Sequence, residues 1–164
     1  LLKDPLQRDR CLLSLLEEEA VLWQDELSTR LAGTRRATAE QVAQAFAGAC
    51  AAYPLMCRLF SILPSIIEHN VSRERLTEFK RNSLALAAGV ADQLHRSAPA
   101  LPFSAYVTFL RLAMALLIGL WPLSNTTEIL ADVLSLPELQ PLRYDFETDF
   151  AAGLLLLLRG LKPV

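Results

Sequence analysis

The side chains best suited to chemistry are too scattered along the chain to form a catalytic or metal-binding group. Two histidines occur, His69 and His95, and neither has a histidine or glutamate at the spacing that places two ligands on one helical face. Glu17, Glu18 and Glu19 are consecutive, so in a helix their carboxylates point about 100° apart and cannot share a substrate. The sequence therefore predicts no metal, no cofactor and no enzyme activity.

The cysteines and glycines likewise form no catalytic, metal-binding or phosphate-binding motif. Cys11, Cys50 and Cys57 are odd in number and lack the C-x-x-C spacing of zinc sites and redox motifs. The six glycines are scattered singly, so the sequence contains neither a phosphate-binding loop nor a nucleophile elbow. An all-helical enzyme whose catalytic residues follow none of these patterns is the weakest interpretation that we keep.

Charge and hydropathy limit the partners of the chain. Sixteen Lys and Arg against eighteen Asp and Glu give a net charge of −2, without the basic excess that phosphate contacts require. The longest uncharged apolar run, residues 112–123, is too short for the ~20 residues that cross a bilayer. We expect a cytoplasmic protein with no membrane partner. Its apolar fraction of 52% also indicates a burial surface beyond a single core.

Hydrophobic spacing in the first third of the chain predicts helices. Apolar residues recur every three or four positions over residues 12–31, and Gly33 ends that helix. Thr38 and Gln41 have the capping-box spacing, which predicts a helix over residues 39–53.

The same signals continue through the rest of the chain. Pro54 is suited to open a short helix, and Ser72 is suited to cap a long one over residues 73–97. Asn125 has cap spacing for a short helix over residues 125–134. No run alternates with a period of two residues. The prediction is an all-α bundle of about six to seven helices without strands.

Two helices carry more apolar surface than one core can hide. Residues 102–121 are apolar on two faces, and the last helix, residues 145–161, has leucines beyond its main stripe. A helix that is apolar all round must be buried all round, so we expect a homodimer through a four-helix seam. The predicted dimer-interface residues are Phe103, Val107, Leu110, Met114, Leu117, Trp121, Phe150, Leu154 and Leu157.

One stretch carries a family pattern. A Tyr-Pro pair at residues 53–54 closes one helix, a short apolar helix follows at 55–63, an E-H-N-V-S turn lies at 68–72, and an F-K pair at 79–80 marks the long helix. In this order the elements resemble a segment of bacterial tetracycline-repressor (TetR) family regulators. The stretches LLSLLEEEAVLWQDEL before it and LLIGLWPLSN after it fit the same template, so the resemblance covers residues 11–161.

The resemblance implies an effector-binding and dimerisation domain over residues 11–164 in a cytoplasmic bacterial regulator. In such proteins a small-molecule effector lies among the helices and changes the spacing of two N-terminal heads, whose helix-turn-helix motifs bind operator DNA. The TetR-like layout implies a mostly apolar pocket for an uncharged or weakly acidic hydrophobic compound, oriented by Asn82, Tyr106 and Arg58. The expected pocket residues are Trp23, Phe46, Cys50, Met56, Arg58, Phe60, Asn82, Leu86, Tyr106, Phe109 and Leu116.

No helix-turn-helix is recognisable in the sequence itself. Residues 1–10 look like the end of a different helix, and we interpret them as a remnant of the DNA-binding head, with further residues expected between Arg10 and Cys11. The alternative is an all-helical carrier of apolar molecules, or a scaffold protein, without a transcriptional role. A helix-turn-helix encoded directly upstream of Leu12 would decide for the regulator.

Overall fold

The computed structural model describes residues 5–161, without the side chains of residues 5, 6 and 8–10. This part of the chain forms seven α-helices and two short 3₁₀ helices and contains no strand, so the predicted all-α bundle is confirmed. In chain order the elements are α1 (Pro5–Leu31), α2 (Ala39–Ala51), α3 (Pro54–Ile62), a 3₁₀ helix (Ile67–Asn70), α4 (Arg73–Ser97), α5 (Phe103–Ser124), α6 (Glu128–Val133), a second 3₁₀ helix (Pro137–Leu142) and α7 (Phe146–Gly160).

Most helix ends follow the capping chemistry that the sequence predicts. The N–H of Gln41 donates to the Thr38 hydroxyl at 3.2 Å, and the side-chain oxygen of Gln41 accepts from the N–H of Thr38 at 2.9 Å. Ser72 and Asp145 cap α4 and α7 with their side-chain oxygens. Gly33 ends α1 at a φ of +78°, a conformation that costs glycine little.

One capping prediction is wrong. Thr127 caps α6, and its hydroxyl accepts from the N–H of Leu130 at 3.4 Å. Asn125 instead ends α5, because its amide donates to the carbonyl of Trp121 at 3.0 Å. Helix α5 therefore extends to Ser124, beyond its predicted end. An amide and a hydroxyl two residues apart both have the spacing of a cap, and the sequence does not show which of them serves α6.

Helix α5 lies at the centre of the bundle. It packs against α3, α4 and α7, while α7 also packs on α2 and α1 crosses α2, α3 and α4. Aliphatic side chains with no exposed surface come from helices along the whole chain, and they include Leu13, Leu16 and Leu27 of α1, Leu94 of α4 and Leu154 of α7. The core is therefore continuous from the first helix to the last.

By length and composition, α5 is also the one single helix of residues 5–161 that could cross a membrane. Helices α2 and α3 pass the same test only as a pair, and they meet at an angle of 87°. The one charged residue of α5, Arg111, lies near its middle, and three helices pack around α5. Within the bundle, 33% of the apolar window of α5 is buried.

The segment between α5 and α7, which we call the arm (residues 125–145), contributes nothing to this core. Neither α6 nor the second 3₁₀ helix has a buried residue. Leu134 and Leu139 of the arm are half-buried. Its other large apolar side chains are 42–80% exposed, and they are Ile129, Leu130, Val133, Leu136, Leu142 and Tyr144.

Candidate ligand site and subunit interface

Rings from four helices meet edge to face in the core. The Phe46 ring of α2 lies 5.1 Å from the ring of Trp23 and 5.6 Å from that of Phe109, between centroids, and Phe109 lies 6.5 Å from Tyr106. Phe150 of α7 joins at 6.2 Å from Phe46. Each such pair contributes about 0.5–1.5 kcal/mol beyond the burial of area. Phe46 therefore ties α1, α5 and α7 to α2.

The indole N–H of Trp23 is the one buried side-chain donor or acceptor, among the described side chains, that has no hydrogen-bond partner. Trp23 is only 7% exposed, so this N–H lies away from bulk solvent. The Cys50 thiol, a weak hydrogen-bond acceptor, lies close enough to interact with it. Leaving a buried donor unpaired costs about 1–3 kcal/mol, which an oxygen of a bound molecule would recover.

Two buried thiols adjoin this donor. The Cys57 thiol donates to the carbonyl of Cys50, with 3.2 Å between sulfur and oxygen. Burial first, and then the contact with Cys57, raises the pKa of Cys50 well above its usual range, so Cys50 remains a neutral thiol. The surroundings of the Trp23 N–H are thus polarisable and uncharged.

This burial predicts which cysteine reacts with a thiol reagent. Cys11 is exposed, whereas Cys50 and Cys57 are buried. We expect Ellman's reagent to label one thiol per native chain within minutes and all three in denaturant, because the reagent cannot reach the buried thiols of the native chain. A Cys11→Ser variant should show almost no rapid labelling. Rapid labelling of that variant in its native state would contradict the packing around Cys50.

The residues expected to line a ligand pocket divide into three groups. The first group meets in the core and comprises Trp23, Phe46, Cys50, Met56, Tyr106 and Phe109. Three more are half-buried against that core, namely Phe60, Leu86 and Leu116. Arg58 and Asn82 are exposed. The structure thus brings the aromatic members together and leaves the two most polar members outside.

Two of the three polar groups expected to orient a ligand are engaged elsewhere. The Tyr106 hydroxyl donates to the backbone carbonyl of Ala98, just after α4, at 2.6 Å. The amide of Asn82 donates to Glu17 at 2.9 Å on the surface. Sequence reasoning missed the Trp23 N–H as the uncommitted donor, because the residue type does not show where an indole in a core helix points its nitrogen.

The core residues form one packed cluster, and two grooves of the described residues lie on the surface. One, of about 490 Å³, runs between α2 and α7 beside Glu40 and Glu147. The other, of about 420 Å³, follows the outer side of α4 from Arg73 to Leu84. A molecule that reached the Trp23 N–H would therefore have to move core side chains apart.

An ion-pair cluster joins α1 to α4. Glu17 accepts from Arg75 and from the amide of Asn82, and Arg75 also lies 3.3 Å from the hydroxyl of Ser14 and 3.5 Å from Glu78. Desolvation acts to raise the pKa of Glu17, but the hydrogen bonds from Arg75 and Asn82 and the charge of Arg75 outweigh it, so the pKa is lowered. The cluster thus stabilises ionised Glu17.

The lowered pKa predicts how stability depends on pH. Because the folded pKa of Glu17 lies below its model value of 4.5, its contribution is present above that value and is lost as pH falls through the folded pKa. We expect Glu17→Gln to lower the free energy of unfolding by about 1–2 kcal/mol at pH 7, and the gap to the parent should close below pH ~4.

Urea unfolding from pH 7 to pH 3 measures this effect. Glu18→Gln is the matched control, because Glu18 is the next residue along α1 and is exposed. We expect it to change stability by less than about 0.5 kcal/mol. A gap between Glu17→Gln and the parent that stays constant across this pH range would contradict the assignment.

The nine residues predicted for a dimer interface fall into three groups by their exposure. Leu117, Phe150 and Leu154 are at most 2% exposed, so they belong to the core of their own chain and cannot reach a partner. That part of the prediction is corrected: both faces of α5 are apolar, and residue spacing does not show which face turns inward. Phe103 and Val107 are exposed by 43% and 47%. The remaining four are half-buried, namely Leu110, Met114, Trp121 and Leu157.

The structure exposes three apolar side chains that the prediction omitted. Leu112 and Leu123 of α5 are 38% and 51% exposed, and Leu156 of α7 is 71% exposed. Together with Phe103 and Val107 they are large exposed apolar side chains of α5 and α7, and we call this side of the two helices the outer face. Leu112 lies about 140° round α5 from Val107, so these side chains border the exposed side of α5 from both edges. Isolated exposed leucines are ordinary, but several on two adjacent helices make a candidate interface.

Comparison with known proteins identifies the family of this chain. A family model described as "Tetracyclin repressor-like, C-terminal domain" matches residues 17–163. No curated protein sequence matches the chain. The family match spans the aromatic core, the outer face and the arm, and it begins within α1.

Proposed function

The chain belongs to the family of tetracyclin repressor-like C-terminal domains, and from this premise we propose that it is the effector-binding and dimerisation domain of a bacterial transcription regulator. The regulator acts as a homodimer in the cytoplasm. A hydrophobic small molecule binds within each bundle and alters how N-terminal helix-turn-helix heads engage operator DNA. The same core would suit a carrier of apolar molecules, but the family match favours the regulator over both a carrier and an enzyme.

The observation that carries the ligand site is the unpartnered N–H of Trp23 within an aromatic, uncharged core. An ionised ligand would be buried there without a counter-charge, at a large cost in free energy. A purely hydrocarbon ligand would leave the Trp23 donor unpaired. We therefore assign the effector to neutral, mostly apolar compounds that carry a hydrogen-bond acceptor, such as ketones, esters or lactones.

Matched pairs of compounds test this assignment by thermal shift. One pair is 4-phenyl-2-butanone and butylbenzene, which differ only in the carbonyl oxygen; a panel of hydrophobic ketones and esters with their deoxygenated analogues extends it. A ligand at 100 times its Kd adds about 2.7 kcal/mol of stability. We expect carbonyl compounds of the panel to stabilise the protein more than their hydrocarbon analogues.

The Trp23→Phe variant tests which donor is responsible. It keeps an aromatic ring but removes the N–H, so the preference for the carbonyl should fall about tenfold. Trp121→Phe is the matched control, because Trp121 lies at the far end of α5 against Phe146. If Trp23→Phe retains the full carbonyl preference, or if no panel member stabilises the parent, the assignment is overturned.

A further inference from the structure

The outer side of α4 carries a cationic and apolar surface, which we call the basic stripe (Arg73, Leu76, Thr77, Lys80, Arg81 and Leu84). These six residues line the surface groove on α4, and none of them is a carboxylate. Their spacing of three, four, seven and eight residues places them on one side of a single helix. A groove of this kind is what the side-chain ridges of another helix fill. The basic stripe is therefore suited to pack against a helix.

Two of the three cations in the basic stripe are not engaged within the chain. Lys80 pairs with Glu68. Arg73 and Arg81 have no ion-pair partner among the described side chains. Arg75 faces α1 through its ion pair, and Arg73 points roughly 160° away from Arg75 round the helix. The α1 helix of the same chain therefore does not cover the basic stripe.

A surface of opposite charge lies on the outer side of α1, and we call it the acidic stripe (Glu18, Val21, Leu22 and Asp25). All four side chains are exposed, Val21 by 52% and Leu22 by 49%. Neither Glu18 nor Asp25 has an ion-pair partner among the described residues. Glu17, the neighbour of Glu18, is the residue that faces α4 of the same chain, so the acidic stripe is turned away from that helix.

The charges of the two stripes are spaced alike. Glu18 and Asp25 are seven residues apart, which is about 10.5 Å along a helix. Arg73 is seven residues from Lys80 and eight from Arg81, or about 10.5 and 12 Å. Two helices with these spacings, packed side by side, bring both carboxylates next to cations and place the apolar side chains between them. Opposite charges at matched positions favour this pairing.

We propose that the acidic stripe of one copy of the chain packs on the basic stripe of a second copy. The contact is separate from the outer face of α5 and α7, so it goes beyond the proposed homodimer and would join such dimers. Because it pairs two different surfaces, it is heterologous and forms a ring or an open chain of copies. Exposed ion pairs contribute little and the stripes are short, so the association is weak and depends on salt.

Sedimentation velocity at high-micromolar protein concentration tests the salt dependence. In about 50 mM NaCl we expect larger species than in about 500 mM NaCl, because the screening length becomes about threefold shorter at the higher concentration. The comparison is made within one protein, so the result does not depend on whether its basic unit is a monomer or a dimer. A sedimentation coefficient that is the same at both salt concentrations would overturn the proposal.

Charge reversal tests whether the two stripes make the contact. Arg73→Glu/Arg81→Glu and Glu18→Arg/Asp25→Arg should each weaken the low-salt association at least about tenfold, because like charges then face each other. A chain with all four substitutions has the net charge of the parent and should regain the association. All four side chains are exposed, so far-UV circular dichroism of each variant should match that of the parent.

Arg35→Glu/Arg36→Glu is the matched control. Both arginines are exposed in the turn after α1, outside the stripes, and their reversal changes the net charge as much as that of the two stripe arginines. The control should leave the association within about twofold of the parent. A control that weakens it about tenfold, or a folded fourfold variant that stays dissociated, contradicts the proposed contact. Failure of this contact leaves the proposed effector site and the outer-face dimer intact.

Discussion

Replacing Phe46 by alanine is expected to lower the free energy of unfolding by about 3–5 kcal/mol. The Phe46 side chain is 5% exposed and touches the rings of Trp23, Phe109 and Phe150. Its removal would leave a cavity and break three edge-to-face contacts between four helices. Domains of this kind unfold with about 5–15 kcal/mol, so much of the stability would be lost. Urea unfolding at a fixed protein concentration measures the change.

Leu84→Ala is the control for this experiment. Leu84 is 73% exposed, so its truncation removes little buried area and should cost less than about 0.5 kcal/mol. Phe46→Leu should fall between the two variants, because leucine keeps part of the volume but loses the ring contacts. A cost below about 1 kcal/mol for Phe46→Ala would show that the aromatic core is looser than the ring distances indicate.

Charged substitutions on the outer face are expected to convert the proposed homodimer into monomers. In Val107→Glu/Leu156→Glu, a symmetric interface would bury unpaired carboxylates, which costs about 3–5 kcal/mol for each uncompensated charge. This corresponds to a dissociation constant raised at least a hundredfold. Sedimentation velocity over a concentration series measures it.

The two positions are chosen because neither contributes to the core of its own chain. Val107 is 47% exposed and Leu156 is 71% exposed, so the monomer should keep its helical content. Leu117→Glu is the informative contrast, since Leu117 is 2% exposed and its replacement should unfold the chain. A dimer that persists unchanged in the Val107→Glu/Leu156→Glu variant would place the interface on another face.

The helices were predictable because their signals are local. Thr38 and Ser72 cap helices in the structure as their spacing predicts, and the breaks at Gly33 and Pro54 fall where backbone geometry requires them. These signals depend on neighbours within four residues. The family match then confirms the resemblance that the turn at residues 68–72 first indicated.

The inward faces were less predictable because they depend on distant parts of the chain. Leu117 and Leu112 lie on the same apolar helix, yet packing against α3, α4 and α7 buries the first and exposes the second. No periodicity within α5 distinguishes them, since both of its faces are apolar. The direction of the Trp23 N–H and the projection of the arm are likewise set by tertiary packing.

Because α1 is long, a small tilt at Trp23 would produce a larger displacement at the N-terminal end of the helix. Helix α1 runs unbroken from Pro5 to Leu31, and about 27 Å of it lies on the N-terminal side of Trp23, at 1.5 Å per residue. If Trp23 serves as a pivot, a tilt of about 5° moves the first turn of α1 by about 2 Å. Most of this part of α1 lies on the N-terminal side of the Glu17–Arg75 ion pair, which links α1 to α4 and would resist the tilt.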